Sequence, residues 1–132
     1  DRLLDQQLHV FDQSQSTLCY ANQFASNQPN LEFSLLPNSD SWYHRISHVL
    51  ADLFERKVVS VFIEGGAQFL SFLIQQGWWD EARVFSSSTT FGEGVAAPII
   101  DEHYLVDKER VSDDQLSTYF RFSLKAKQEV EK

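Results

Sequence analysis

The sequence predicts an α/β domain with a mixed sheet, and three observations carry that expectation. Strand-like runs alternate with helical patterns through the middle of the chain. One run, Val58-Val59-Ser60-Val61-Phe62-Ile63, is almost continuously apolar and β-branched, the composition of a parallel strand buried on both faces. Near the end, two strand-like runs flank Ser112-Asp113-Asp114-Gln115, the arrangement of an antiparallel hairpin. The 132 residues suit one compact domain, and 42% hydrophobic content, with 14% aromatic, can fill its core.

Leu3 through Phe11 has no clean period and reads as an extended lead-in. Ser16-Thr17-Leu18-Cys19-Tyr20-Ala21 is short, apolar and rich in strand formers. Asn27-Gln28-Pro29-Asn30 marks a loop, and Leu31-Glu32-Phe33-Ser34-Leu35-Leu36 alternates as a second strand. Pro37-Asn38-Ser39-Asp40 closes that strand and offers N-cap oxygens to the next segment. Ile46, Val49, Leu50, Leu53 and Phe54 then form one apolar helical stripe, with Arg45, Asp52, Glu55 and Arg56 on the wet side.

After the run at 58–63, Glu64-Gly65-Gly66 breaks the strand and Ala67 to Gln76 becomes helical. Gly77 stands at the left-handed position that ends it. Trp78-Trp79-Asp80 turns the chain out, and Glu81-Ala82-Arg83-Val84-Phe85 is another strand. Ser86 to Pro98 is a long Ser-, Thr- and Gly-bearing loop. Tyr104 to Val111 and Leu116 to Ser123 make the hairpin, and Lys125 to Lys132 is a charged tail that frays. No internal repeat or linker divides the chain, so residues 1–132 read as a single domain.

Eleven Lys and Arg against 19 Asp and Glu give a net charge of −8, which argues against nucleic acid as a partner. A small phosphorylated ligand is compatible with that charge, because a few backbone N–H groups can hold it. No apolar run approaches a membrane span and no secretion signal opens the chain, so a soluble, cytoplasmic domain without a membrane partner is expected. Cys19, the single cysteine, can form neither an internal disulfide nor a Cys-rich zinc site. The chain contains no Met and begins at Asp1-Arg2-Leu3-Leu4, as though cut from something longer.

The stretch from Val58 to Gly77 is the most informative. A strand ending in Glu-Gly-Gly and passing at once into a helix places backbone N–H groups at a crevice where ligands collect in open α/β sheets. Two glycines let a phosphate approach the backbone, and Glu64 can accept hydrogen bonds from ligand hydroxyls. The pattern is neither GxGxxG nor a P-loop, which would need a Lys. A tight strand-to-helix turn with Glu64 as a polar strand cap explains the same residues.

Val59-Ser60-Val61-Phe62-Ile63-Glu64-Gly65-Gly66-Ala67, followed by Gly77-Trp78-Trp79-Asp80-Glu81, resembles the "EGGA … G-x-x-DE" signature of the reductase domain of riboflavin-biosynthesis deaminase-reductases (RibD). Arg83-Val84-Phe85 and Phe91-Gly92-Glu93-Gly94 are similar to that family's next strand and glycine-rich loop. Leu4-Asp5-Gln6-Gln7-Leu8 with Thr17-Leu18, and Asp113 through Tyr119, extend the similarity over nearly the whole chain. Two departures stand out: Ser88 where the family usually has Pro, and Gln7 near where it has a basic residue.

The resemblance implies a dihydrofolate-reductase-like fold, with a mixed sheet flanked by helices, that forms a homodimer. It implies NADPH-dependent reduction of 5-amino-6-(5-phosphoribosylamino)uracil, a phosphorylated pyrimidine, to its ribitylamino form. By the same resemblance Glu64 contacts the substrate's sugar, while Gly65, Gly66, Ala67, Gln68 and Phe69 line the cofactor phosphates and Asn22 adds a cofactor contact. The chain then corresponds to the later part of the reductase domain, and the zinc-deaminase motifs His-x-Glu and Pro-Cys-x-x-Cys do not occur in its 132 residues.

Other candidates weigh less. His44 and His48 stand four apart on the first helix, but Arg45 replaces the zincin Glu and no third ligand is evident, so no metal is expected. Ser86-Ser87-Ser88-Thr89-Thr90 lacks a nucleophile elbow, and Asp113 and Asp114 suit a turn. Trp78 and Trp79 either stack a base, form a dimer contact or cap the core at their turn. No side chain is assigned as catalytic acid or base, as fits hydride transfer, in which the cofactor carries the chemistry. The rival reading is a non-catalytic domain of the same fold used for subunit association.

Overall fold

The computed structural model describes residues 8–23, 26–90 and 92–122. The lead-in over residues 3–7, Phe91 and the tail over 125–132 lie outside the described residues. The chain divides into two compact units, Asp1–Val61 and Phe62–Lys132.

In the first unit a single 3-10 turn, His9–Phe11, precedes strands β1 (Thr17–Ala21) and β2 (Leu31–Leu35). The strands pair in parallel, Thr17 opposite Leu31 through Ala21 opposite Leu35. Alternation in β2 buries Leu31 and Phe33 and leaves Glu32 exposed, and the Phe11 ring stacks on Phe33 at 6.5 Å. Asn27 Oδ1 accepts the Phe33 N–H at 2.8 Å, tying the loop to the strand it precedes. Helix α1 (Trp42–Glu55) starts at Ser41. The Ser41 hydroxyl makes no capping bond; instead Ser39 Oγ accepts the Ser41 N–H at 3.1 Å.

The α1 stripe is narrower than its spacing predicts. Ile46, Val49, Leu50 and Leu53 are half-buried, whereas Phe54 is 76% exposed. Conversely, Asp52, expected on the wet side, is half-buried against β1.

The largest departure falls at residues 58–63, which form no strand. A parallel strand of this composition is stable only when neighbours pair with both its edges and cover both its faces. No described strand pairs with it, so Val59 stays 98% and Phe62 82% exposed. The unit boundary runs through this segment.

The second unit opens with α2 (Ala67–Gln76), ended as expected by Gly77 at φ 66°. Strands β3 (Glu81–Ser86), β4 (Leu105–Val111) and β5 (Asp114–Phe120) form an antiparallel sheet in the order β3-β5-β4. A 3-10 turn, Glu102–Tyr104, leads into β4. The hairpin turn is tighter than 112–115, since Asp114 already pairs with Val111. Leu73 of α2 and Leu116 and Ser117 of the central strand are buried. Trp78 meets Phe72 edge-on at 5.8 Å and Trp79 meets Tyr104 edge-on at 5.3 Å, so both pack at the turn against neighbouring aromatics. The class is thus α/β with a C-terminal antiparallel hairpin, its parallel and antiparallel pairings in separate sheets, one in each unit.

Candidate functional site

Glu64, Gly65 and Gly66 run along exposed backbone into α2. Gly66 is the N-cap residue, in extended conformation at φ −66° and ψ 157°, and no side chain caps the helix there. Its carbonyl accepts from the Phe69 and Leu70 N–H groups at 3.0 and 3.2 Å. The N–H groups of Ala67 and Gln68 have no acceptor among the described residues. Unpaired first-turn N–H groups and the positive end of the helix dipole together favour an anion.

The two glycines differ in what they make possible. A Cβ on Gly65 would stand 3.0 Å from Phe69 Cδ1, so that glycine lets the Phe69 ring fold back over the turn. A Cβ on Gly66 would meet nothing within 4 Å. Neither packing nor a left-handed φ therefore calls for glycine at 66; what the missing side chain provides is open space beside the free N–H groups.

Glu64 is exposed and makes no hydrogen bond or ion pair among the described residues, which leaves both carboxylate oxygens available to hydroxyl donors. It follows an unpaired segment rather than the paired strand expected and stands two residues before the N-cap of α2. Gln68 is exposed, while Ala67 and Phe69 are half-buried. These six residues are adjacent in the chain and stand together at one helix end. Asn22, exposed just after β1, belongs to the first unit.

A cleft of about 700 Å³ in the second unit lies at the other end of α2, among Gly77, Trp79, Asp101, Tyr104 and Arg121. Two groups of polar side chains carry no signal of their partners in the sequence. Arg121 Nη1 donates to the Gly77 carbonyl across 44 positions of chain, a partnership with no local signature. In the first unit the Tyr20 hydroxyl donates to Asp52 at 2.6 Å, Arg56 Nε donates to Asp52 at 2.8 Å, and Arg56 forks onto Glu32 at 2.9 and 2.6 Å. Hydrogen bonds from Tyr20 and Arg56 pull the Asp52 carboxyl below its ordinary range, and Arg56 does the same for Glu32. Burial, with donation to Asp52, pushes Tyr20 up to about 12. The i, i+4 spacing of Asp52 and Arg56 is readable; their partners on the strands are not.

His44 and His48 are both exposed on α1, and among the described residues no three His, Cys, Asp or Glu side chains converge as metal ligands. Cys19 is half-buried in β1, and burial raises its thiol pKa, which disfavours the reactive thiolate. Among the described residues no helix is long and apolar enough to cross a membrane.

No curated protein matches the chain. The family model described as the RibD C-terminal domain matches residues 1–120, a span that takes in both units as far as the end of β5 and includes the Glu64 to Phe69 turn. The chain belongs to the RibD C-terminal domain family, the dihydrofolate-reductase-like, reductase-type domain of riboflavin biosynthesis.

Proposed function

We propose that this chain is an NADPH-dependent reductase that converts 5-amino-6-(5-phosphoribosylamino)uracil to its ribitylamino form, acting in the cytoplasm as a homodimer. The observation that carries the reading is the turn into α2. Gly66 leaves open space beside the unpaired N–H groups of Ala67 and Gln68, in a chain of the RibD C-terminal domain family. A cofactor phosphate held by backbone donors needs no lysine, which suits a chain of charge −8.

Gly65, Gly66, Ala67, Gln68 and Phe69 would hold the cofactor phosphates. When bound, NADPH supplies the hydride. Net reduction would place a hydride on the sugar's C1′ and a proton from water on the ring oxygen, so that the C1′–O bond opens with the uptake of two electrons. Glu64 accepts hydrogen bonds from the sugar hydroxyls and orients C1′. No side chain is given an acid–base role; orientation supplies the rate.

Titrating the full chain with NADPH, followed by cofactor fluorescence, tests the site. Gly66→Asp is expected to abolish binding, because it fills the open space and sets a carboxylate against phosphate. Unchanged affinity in that variant would overturn the site. NADH in parallel reports the cofactor preference, and turnover of the ribosylamino substrate reports the reaction.

A further inference from the structure

Helix α2 has ten residues, about 15 Å of rigid rod, so whatever fixes its C-terminal end also sets the direction of its N-terminal end. Packing holds this rod only loosely, since Leu73 is its one buried residue. The carbonyls at that end are met in three ways. The Gly77 N–H donates to Ile74 O at 3.1 Å, the Trp78 N–H donates to Leu73 O at 2.9 Å, and Arg121 Nη1 donates to the Gly77 carbonyl itself.

Arg121 is well placed to act as a strut. It directly follows β5, the central strand of the sheet, whose Phe120 pairs with Glu81. Its own N–H donates to the Asp80 carbonyl at 3.0 Å, so one residue bonds both ends of the turn that leaves α2. Its guanidinium lies 4.4 Å from the centre of the Phe122 ring, and among the described residues it is the sole cation lining the cleft at this helix end. A cation there also complements the negative end of the helix dipole. The side chain fits closely: a Cβ on Gly77 would come within 3.3 Å of Arg121 Cζ.

We propose that Arg121 is a positioning residue for the cofactor end of α2, tying the helix's C-terminal carbonyl to the central strand and so holding the Gly66 turn in its binding orientation. The inference rests on the reading of that turn as the cofactor phosphate site. Without the tie, α2 samples other orientations, and apparent affinity falls in proportion to the fraction left competent. The reacting groups are untouched, so the effect belongs to cofactor binding.

The experiment compares the full chain with Arg121→Gln, Arg121→Lys and Gly77→Asn, measuring folding by circular dichroism, NADPH affinity, and KM and kcat. Arg121→Gln is expected to weaken NADPH binding about three- to tenfold, with kcat at saturating cofactor and the KM of the ribosylamino substrate unchanged. Arg121→Lys keeps a charged donor and stays close to wild type. Gly77→Asn tolerates the left-handed cap but crowds the guanidinium, so it reproduces the loss and carries the test if Arg121→Gln does not fold. A folded Arg121→Gln or Gly77→Asn protein with wild-type NADPH affinity, or one in which kcat falls in step, overturns the role of Arg121. A wild-type chain that binds no NADPH overturns the site reading, and this inference with it.

Discussion

Gly77 and Lys57 occupy the same structural position and meet it differently. Each ends a helix in the left-handed region, at φ 66° and 65°. In each case the next N–H reaches back to a carbonyl five residues earlier, Trp78 to Leu73 and Val58 to Leu53. Glycine adopts that conformation without penalty, whereas a residue with a Cβ loses roughly 1 kcal/mol or more. Lys57→Gly is therefore expected to raise stability by up to about 1 kcal/mol, seen as a higher urea midpoint for the full chain with an unchanged slope. A lower midpoint would mean the Lys57 side chain makes a contribution that outweighs its strained backbone. The contrast also marks what sequence can reveal about helix ends: Gly77 announces the end of α2, but nothing about a lysine announces a left-handed turn.

At the scale of elements, the Tyr20, Asp52, Arg56 and Glu32 group joins both strands of the first unit to α1. Pairing Leu18 with Glu32 and Tyr20 with Ser34 puts Tyr20 and Glu32 on the same face of the two-stranded sheet, where Arg56 and Asp52 reach them. Asp52 and Glu32 have carboxyls lowered below their ordinary values of 3.8 and 4.5. A lowered folded-state pKa contributes stability that is present above the unfolded value and lost as pH falls through the folded one. Melting of the first unit is thus expected to drop as pH falls below about 4.5. The drop should be shallower in the Asp52→Asn, Glu32→Gln double variant, and parallel acid limbs in the two proteins would dismiss the group as a source of stability. Tyr20 has the opposite sign: its pKa is raised to about 12, so its contribution is complete below the ordinary value of 10 and lost as pH rises toward 12.

The same scale shows why the elements are unevenly legible. Both helices can be read because a 3.6-residue stripe or a closing glycine is a local signal. Strands β1, β2, β4 and β5 can be read from alternation and turn residues. Residues 58–63 read as a buried strand because composition reports what a segment suits, not whether neighbours exist to bury it. The turn at Glu64-Gly65-Gly66 and the helix that follows it are legible from the glycines and the apolar run after them, while Arg121 at the far end of α2 is not, since 44 positions separate it from its acceptor.

For the whole molecule, charge and apolar exposure pull in opposite directions. Val59, Phe62, Val95 and Ile99 are each more than four-fifths exposed, and β3 and β4 are the edge strands of their sheet, features that favour association. A net charge of −8 on every chain opposes it. Salt screens the charge over about 10 Å at 0.1 M and leaves apolar burial intact, so the proposed homodimer should strengthen as sodium chloride rises. Sedimentation of the full chain across a salt series, with and without NADPH, checks this together with the choice between reductase and association domain. The expected result is a dimer fraction that grows with salt, and NADPH absorbance that travels with the protein boundary. A dimer that carries no NADPH would favour a domain used only for association. Association that weakens with salt would show that the contact is made by charged groups, and would remove exposed apolar surface as its cause.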